Sequence, residues 1–248
     1  MLEWHDQAIV ISARPHGEAA AVVQLLTSAH GRHAGLVHGG QGRRNRGVLQ
    51  PGNQVKATWR ARLADHLGIF ACELESSHAA QLMDAPDRLA ALASAAAICE
   101  GALPEREPHP ACFDGFMALL AALKDEHWAE AYVGWEVGLL AEIGFGLDLA
   151  SCAAGGANDQ LAYVSPRTGR AVSLAAGEPY RDRLLALPGF LIGRGDGGRA
   201  EVAQGLRLTG HFLDRFVYRP HDRTLPPPRR RLAAMFDAAP AAVPEQQP

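Results

Sequence analysis

The sequence predicts an α+β protein: an N-terminal β-barrel of the OB type, then an α-helical bundle carrying a small β insertion. Three observations predict it. In the first 80 residues, short runs rich in Val, Ile, Leu and Thr alternate with Gly, Pro, His and Ser punctuation. After Pro86 the apolar period lengthens to that of a helix, in Ala- and Leu-rich stretches. Inside that helical half, the Gly- and Ser-rich segment 150–177 returns to strand-like patterning.

Taken in order, strands are expected at about 7–13, 20–27, 32–38, 54–63 and 68–75. The clearest is the fourth. Alternation places Val55, Ala57, Trp59 and Ala61 on one face and Lys56, Thr58, Arg60 and Arg62 on the other. A strand with one packed and one cationic side is what a barrel needs to present a binding surface. Five such strands suit an OB-like barrel, a fold that commonly binds single strands. The barrel is assigned to residues 1–80.

Residues 81–237 are assigned to the helical part. Pro86-Asp87-Arg88 opens a helix running to about Leu103, with proline well suited to its first turn. The prolines at 104, 108 and 110 separate it from helices at about 111–125 and 127–143. In these, Leu119, Leu120 and Leu123, then Val137, Leu140 and Ala141, recur at helical spacing and read as core. Gly144-Phe145-Gly146 stops the third helix. A hairpin is expected at Tyr163–Val172, followed by helices at about 178–187, 200–218 and 228–237. The Ala/Pro/Gln-rich tail 238–248 reads as disordered.

The chain has 248 residues and a formal net charge of −3, which hides a strong segregation. Gln7–Ala64 holds eight Lys/Arg and one acid, whereas Asp65–Asp148 holds three basic residues and fifteen acids. Unequal segments also arise by chance, but a block this basic builds a field over one part of the molecule. The polar, acidic start Met1–Asp6 does not read as a secretory leader, and Leu89–Ile98, the most apolar run, is too short to span a bilayer. A cytoplasmic protein with no membrane partner is expected.

Catalytic and metal motifs are sparse. Neither Gly-x-Ser-x-Gly nor His-Glu-x-x-His occurs, and GGQGRRNRG at 39–47 lacks the Gly-Lys-Ser/Thr of a nucleotide loop. The turn at 193–198 lacks it too. His30, His33 and His38 lie close in sequence without a cysteine or carboxylate to complete a ligand set, so exposed or stacking rings are favoured. The acids of the helical half read as a solvated face. Four scattered cysteines form no Cys-x-x-Cys pair. No enzyme activity and no cofactor are expected.

The residues that remain are basic. Arg43, Arg44 and Arg46 occupy a glycine-flanked loop expected to be mobile, where guanidinium groups suit backbone phosphates at several angles. Lys56, Arg60 and Arg62, with Arg14 and Arg32, extend that DNA-binding set. A loop serving solubility alone is the bland alternative. A second basic cluster, Arg229, Arg230 and Arg231, opens the last helix. Positive charge there opposes the helix dipole, which points to a phosphate or carboxylate partner.

In outline the chain resembles the bacterial RecO family of recombination mediators in DNA repair. The resemblance rests on an apolar strand followed by Arg14-Pro15-His16-Gly17-Glu18, then Leu25-Leu26-Thr27, His30-Gly31-Arg32, the 39–47 loop and Leu49-Gln50-Pro51-Gly52. Centrally it rests on Glu142–Leu149, Cys152, Tyr163-Val164-Ser165-Pro166 and Gly169-Arg170-Ala171-Val172. Leu184–Pro188 and the arginine-rich stretch 219–231 continue it. The resemblance implies an OB-fold before a helical bundle. It also implies binding of single- and double-stranded DNA, annealing of complementary strands, and help in loading the recombinase. The partners it implies are the RecR protein and the acidic, Phe-ended tail of the single-stranded DNA-binding protein, and the location it implies is at the nucleoid. The alternative is an adaptor whose basic barrel binds an acidic protein. Some members of that family bind zinc through two Cys-x-x-Cys pairs in the insertion. Here Gly155 follows Cys152 at three residues and Ser173–Ala176 stands at the second pair, so the zinc-ligand pattern is lost and a metal-free insertion is expected.

Overall fold

The computed structural model describes residues 1–155, 158–195 and 197–237, the side chain of residue 159 excepted. The expected tail, 238–248, lies outside the described residues. Strands β1 (Leu2–His16), β2 (Ala20–Thr27), β3 (Gly31–Val37), β4 (Gln54–Ala61) and β5 (Ile69–Ser76) close into a barrel in the order β1-β2-β3-β5-β4. All neighbours pair antiparallel except β3 and β5, which meet in parallel. This is the small Greek-key barrel of the OB type.

The first strand begins five residues earlier than its apolar run, because Leu2–Gln7 pair with Ala61–Lys56 across the barrel's closing seam. Its centre, Ala8–Ile11, is buried on both faces. Ala8 and Val10 join the barrel core with Val23, Leu25, Val55, Trp59 and Phe70. Ile9 and Ile11, with Leu26 of β2, instead enter the core of the helical body. That double burial explains why β1 reads as a continuous apolar run. A bulge between Val10 and Ser12 bends the strand as it leaves this contact.

The helical body consists of α3 (Pro86–Ala102), α4 (Pro110–Ala122), α5 (Trp128–Glu142), α7 (Arg199–Phe212) and α8 (Pro227–Asp237). Helix α3 packs on both β1 and α8, α4 on α5, and α7 on α5 and α8. Two sites show barrel and body in close approach. At Gly52 a Cβ would sit 2.5 Å from Leu92, and at Gly31 it would sit 1.9 Å from the Glu107 carbonyl oxygen. Both glycines also hold positive φ, so neither position accepts a side chain.

Three expectations are corrected. The 39–47 loop is not irregular throughout: Arg43–Val48 form a short helix, α1. The helix expected at 178–187 is a 3-10 turn, Glu178–Arg183, followed by strand β8 (Leu185–Ala186). None of EPYRDR is buried, so no apolar stripe holds a longer helix there. With β6 (Leu161–Val164) and β7 (Ala171–Ser173), β8 makes a three-stranded sheet, and the insertion is longer than its hairpin. Finally, the helix expected at 200–218 is α-helical to Phe212 and widens to a π-helix over Leu213–Tyr218. Two single-turn helices, α2 (His78–Gln81) and α6 (Leu174–Gly177), complete the set.

Candidate nucleic-acid interface

Alternation along β4 is realised: Val55, Ala57, Trp59 and Ala61 are buried, and Lys56, Arg60 and Arg62 are exposed. Two residues of strand rise separate Thr58 from each neighbour in this row, so the row follows the strand axis. Arg60 is held by Glu3, Nε to Oε2 at 2.9 Å and Nη2 to Oε1 at 3.0 Å. That pair leaves Lys56 and Arg62 as the more available charges of the row.

Arg43, Arg44 and Arg46 are all exposed on α1. The chain around them is tied down from below. Asn53, fully buried, donates from Nδ2 to the Gly47 and Val48 carbonyls at 2.9 and 3.2 Å. Asn45 donates to the Gly39 carbonyl at 3.0 Å, and Gln41 donates to the Gly17 and Ala20 carbonyls at 2.9 and 3.0 Å. The arginines therefore extend from an anchored platform, not from a free loop. Arg46 and Arg14 border one concavity of about 440 Å³ with Gln41, Gln50 and Pro51. Arg14 also pairs with Glu100 of α3 at 2.8 Å, an oxygen that Ser12 shares. The exposed arginine end of that pair remains at the surface.

Two sequence-derived site residues are engaged inside the protein. Arg32 is partly buried and donates to the Leu103 carbonyl at 2.8 Å and to Gln24 at 3.0 Å, so it joins β3 to the end of α3. Arg229 is 1% exposed and is removed from the surface cluster. Its guanidinium forms a bidentate pair with Glu136, at 2.5 and 2.9 Å. The carboxylate partner demanded by charge at the start of α8 is thus inside the protein. Glu136 itself is fully buried, an exception to the solvated acidic face. Arg230 and Arg231 remain exposed.

Asn53 and Gln41 were missed because a buried amide under a turn leaves no periodic trace; only the Pro51-Gly52 turn marks the place. The histidines divide: His38 is exposed, while His33 is buried and edge-on to Trp4, Trp59 and Phe70.

On the helical side, α4 and α5 enclose an apolar groove of about 420 Å³. Gly115, Gly134 and Gly138 line it beside Trp135 and Leu119. Burial pushes the thiols of Cys72 and Cys112 up to about 12 and also raises that of Cys99 well above its ordinary value, which makes all three poor nucleophiles at neutral pH. Cys152 is buried, and its Sγ accepts from the Ser173 amide at 3.3 Å. Among the described residues, no three His, Cys, Asp or Glu side chains gather as metal ligands, and no helix is long and apolar enough to cross a membrane.

Fold and surface together define a class: an OB-type barrel with an anchored arginine platform, docked on a helical body with an apolar groove. Family models described as Recombination protein O N terminal and Recombination protein O C terminal match residues 1–77 and 83–225. A DNA repair protein RecO of Rhodospirillum centenum is 63% identical over 240 residues, covering 96% of each chain. Those of Rhodospirillum rubrum and Phenylobacterium zucineum are 52% and 55% identical, covering 93% and 92% of this chain and 95% of each relative. The chain belongs to the RecO family of DNA repair proteins.

Proposed function

We propose that this chain is a non-enzymatic recombination mediator that binds single- and double-stranded DNA, anneals complementary strands and assists recombinase loading. The observation that carries this reading is the α1 platform. Three exposed arginines, braced by buried Asn53, share a barrel surface with Arg14 on a chain that is acidic overall. Contacts of this kind neutralise phosphates and release counterions, giving affinity that is salt-dependent and largely independent of sequence. Lys56 and Arg62 add charge along β4, and Arg230 and Arg231 offer a second, separate cluster.

The apolar α4–α5 groove supports the protein side of the same role. Its glycine floor and Trp135 suit the phenylalanine that ends the tail of the single-stranded DNA-binding protein. The RecR protein is the second partner of this reading, and the nucleoid its location; no cofactor is required.

The test is Arg43→Glu with Arg44→Glu and Arg46→Glu, titrated against single strands and duplexes at low salt. Both affinities should fall together, and annealing with them. Unchanged affinity would remove the platform from the DNA site.

A further inference from the structure

We propose that Glu100 of the helical body restrains DNA binding by the barrel, its carboxylate competing with phosphate for Arg14. The inference rests on the DNA-binding reading and adds to it a control over release. Arg14 lies near the end of β1 and borders the concavity of about 440 Å³ that Arg46 of the platform also borders. A cavity of that size falls within the range of small-ligand sites and admits a sugar–phosphate unit. Arg14 Nη2 donates to Glu100 Oε1 at 2.8 Å, and Ser12 Oγ donates to the same oxygen at 2.8 Å. The Arg14 side chain is nonetheless 72% exposed, with its other N–H groups open to a ligand.

The pair is built to open. Glu100 stands in the last turn of α3, where a carboxylate opposes the helix dipole and no basic residue of that turn answers it. The cation comes instead from β1. Two further arginines serve the same helix end: Arg223 donates to the Gly101 carbonyl at 3.0 Å and Arg32 to the Leu103 carbonyl at 2.8 Å. Arg14 can therefore turn to a phosphate without leaving that end bare. Glu100, 21% exposed, then keeps the Ser12 hydroxyl and its contact with solvent. Arg229 and Glu136, buried together, have no such freedom.

Docking of the barrel on the body does not depend on this pair. Ile9, Ile11 and Leu26 are buried in the core of the body, and three large apolar side chains outweigh one exposed ion pair. What the pair does change is charge. A guanidinium already matched by a carboxylate contributes less to counterion release, and the carboxylate repels an approaching phosphate. Because Glu100 belongs to the body and Arg14 to the barrel, the body sets how tightly the barrel holds a strand. A mediator that hands its strand to a recombinase must also give it up. A competitor built into the fold keeps the bound strand exchangeable.

The experiment titrates the wild-type protein and Glu100→Gln against oligo(dT) and a duplex, by fluorescence anisotropy at several salt concentrations. Glutamine still accepts from Ser12 and Arg14 but carries no charge. Glu100→Gln should bind both forms about 1.5- to 5-fold more tightly at low salt, the span of one exposed ion pair. Its slope of log affinity against log salt should steepen by up to about 0.7 for oligo(dT). In an Arg14→Ala background the same change should bring no gain. Glu75→Gln makes the same change of charge at an exposed site with no ion pair among the described residues, and should gain less. Tighter binding is a result that misfolding cannot produce. If Glu100→Gln fails to fold, Glu100→Ala, which also removes the charge, takes its place. Unchanged or weaker binding by the Glu100 variant overturns the proposal and leaves the platform standing. So does a gain that survives Arg14→Ala, or one that Glu75→Gln matches. Failure of the wild type to bind either form overturns the DNA reading itself.

Discussion

Arg229 enters the interior from the first turn of α8 and finds a site built for it. Besides the two bonds to Glu136, its Nη2 donates to the Leu206 carbonyl at 2.7 Å. Glu136 also accepts from Thr209 and, at 3.0 Å, from Tyr132, whose hydroxyl lies 2.6 Å from Ser94. A satisfied pair of this kind adds little by itself, but breaking it strands a charge. Arg229→Met should cost about 3–5 kcal/mol in urea denaturation, and adding Glu136→Leu should recover most of that loss. A second residue-scale effect concerns His33 and His78, both made harder to protonate by burial. Each is protonated in the unfolded chain below its ordinary value of 6.5, but not yet in the folded one. Stability present above pH 6.5 is therefore lost as pH falls below it. Melting temperature should drop between pH 7 and pH 5, and His33→Phe should flatten that slope.

At the scale of elements, α5 carries an apparent flaw. Gly134 and Gly138 lie within the helix, and a Cβ at either would meet nothing within 4 Å. Alanine at each position should stabilise the fold by about 0.5–1 kcal/mol, measured by denaturant midpoint. The same methyls would narrow the α4–α5 groove, so a partner that uses it should bind more weakly as the protein becomes more stable. Sequence reading located α3, α4 and α5 nearly to their ends, because proline starts and leucine spacing are local signals. It placed α1 in a loop, since six residues without a buried side chain have no period to read. It also could not distinguish Arg229 from Arg230 and Arg231: which of three consecutive arginines turns inward depends on Glu136, far away in the chain.

For the whole molecule, charge and architecture coincide. The barrel segment is basic and the adjoining helical segment acidic, and β1 joins them by burying Ile9 and Ile11 in the body. The field over the barrel should appear in the salt dependence of binding. The triple α1 glutamate variant should reduce the slope of log affinity against log salt by about 2 for single strands, three phosphate contacts being lost. That slope is measured by titrations at several salt concentrations. The outline of this interface was legible because charge segregation and strand period need no tertiary knowledge. The ion pairs that occupy Arg14 and Arg60, and the neutral oxygens that hold Arg32, were not, because each partner comes from another element.

The placement of α8 against α3 also sets a timetable for synthesis. All five barrel strands have been synthesised once residue 76 is added, and the barrel then contains every partner its ladders need. The body must wait. Glu136 is translated 93 residues before the arginine that neutralises it. Until then a growing chain carries a carboxylate with no counter-charge for its intended burial place, and α3 lacks the helix that covers it. A nascent chain stalled before Pro227 should show a protease-resistant barrel and a digestible helical half, with resistance spreading to the body only after Arg229 is in place.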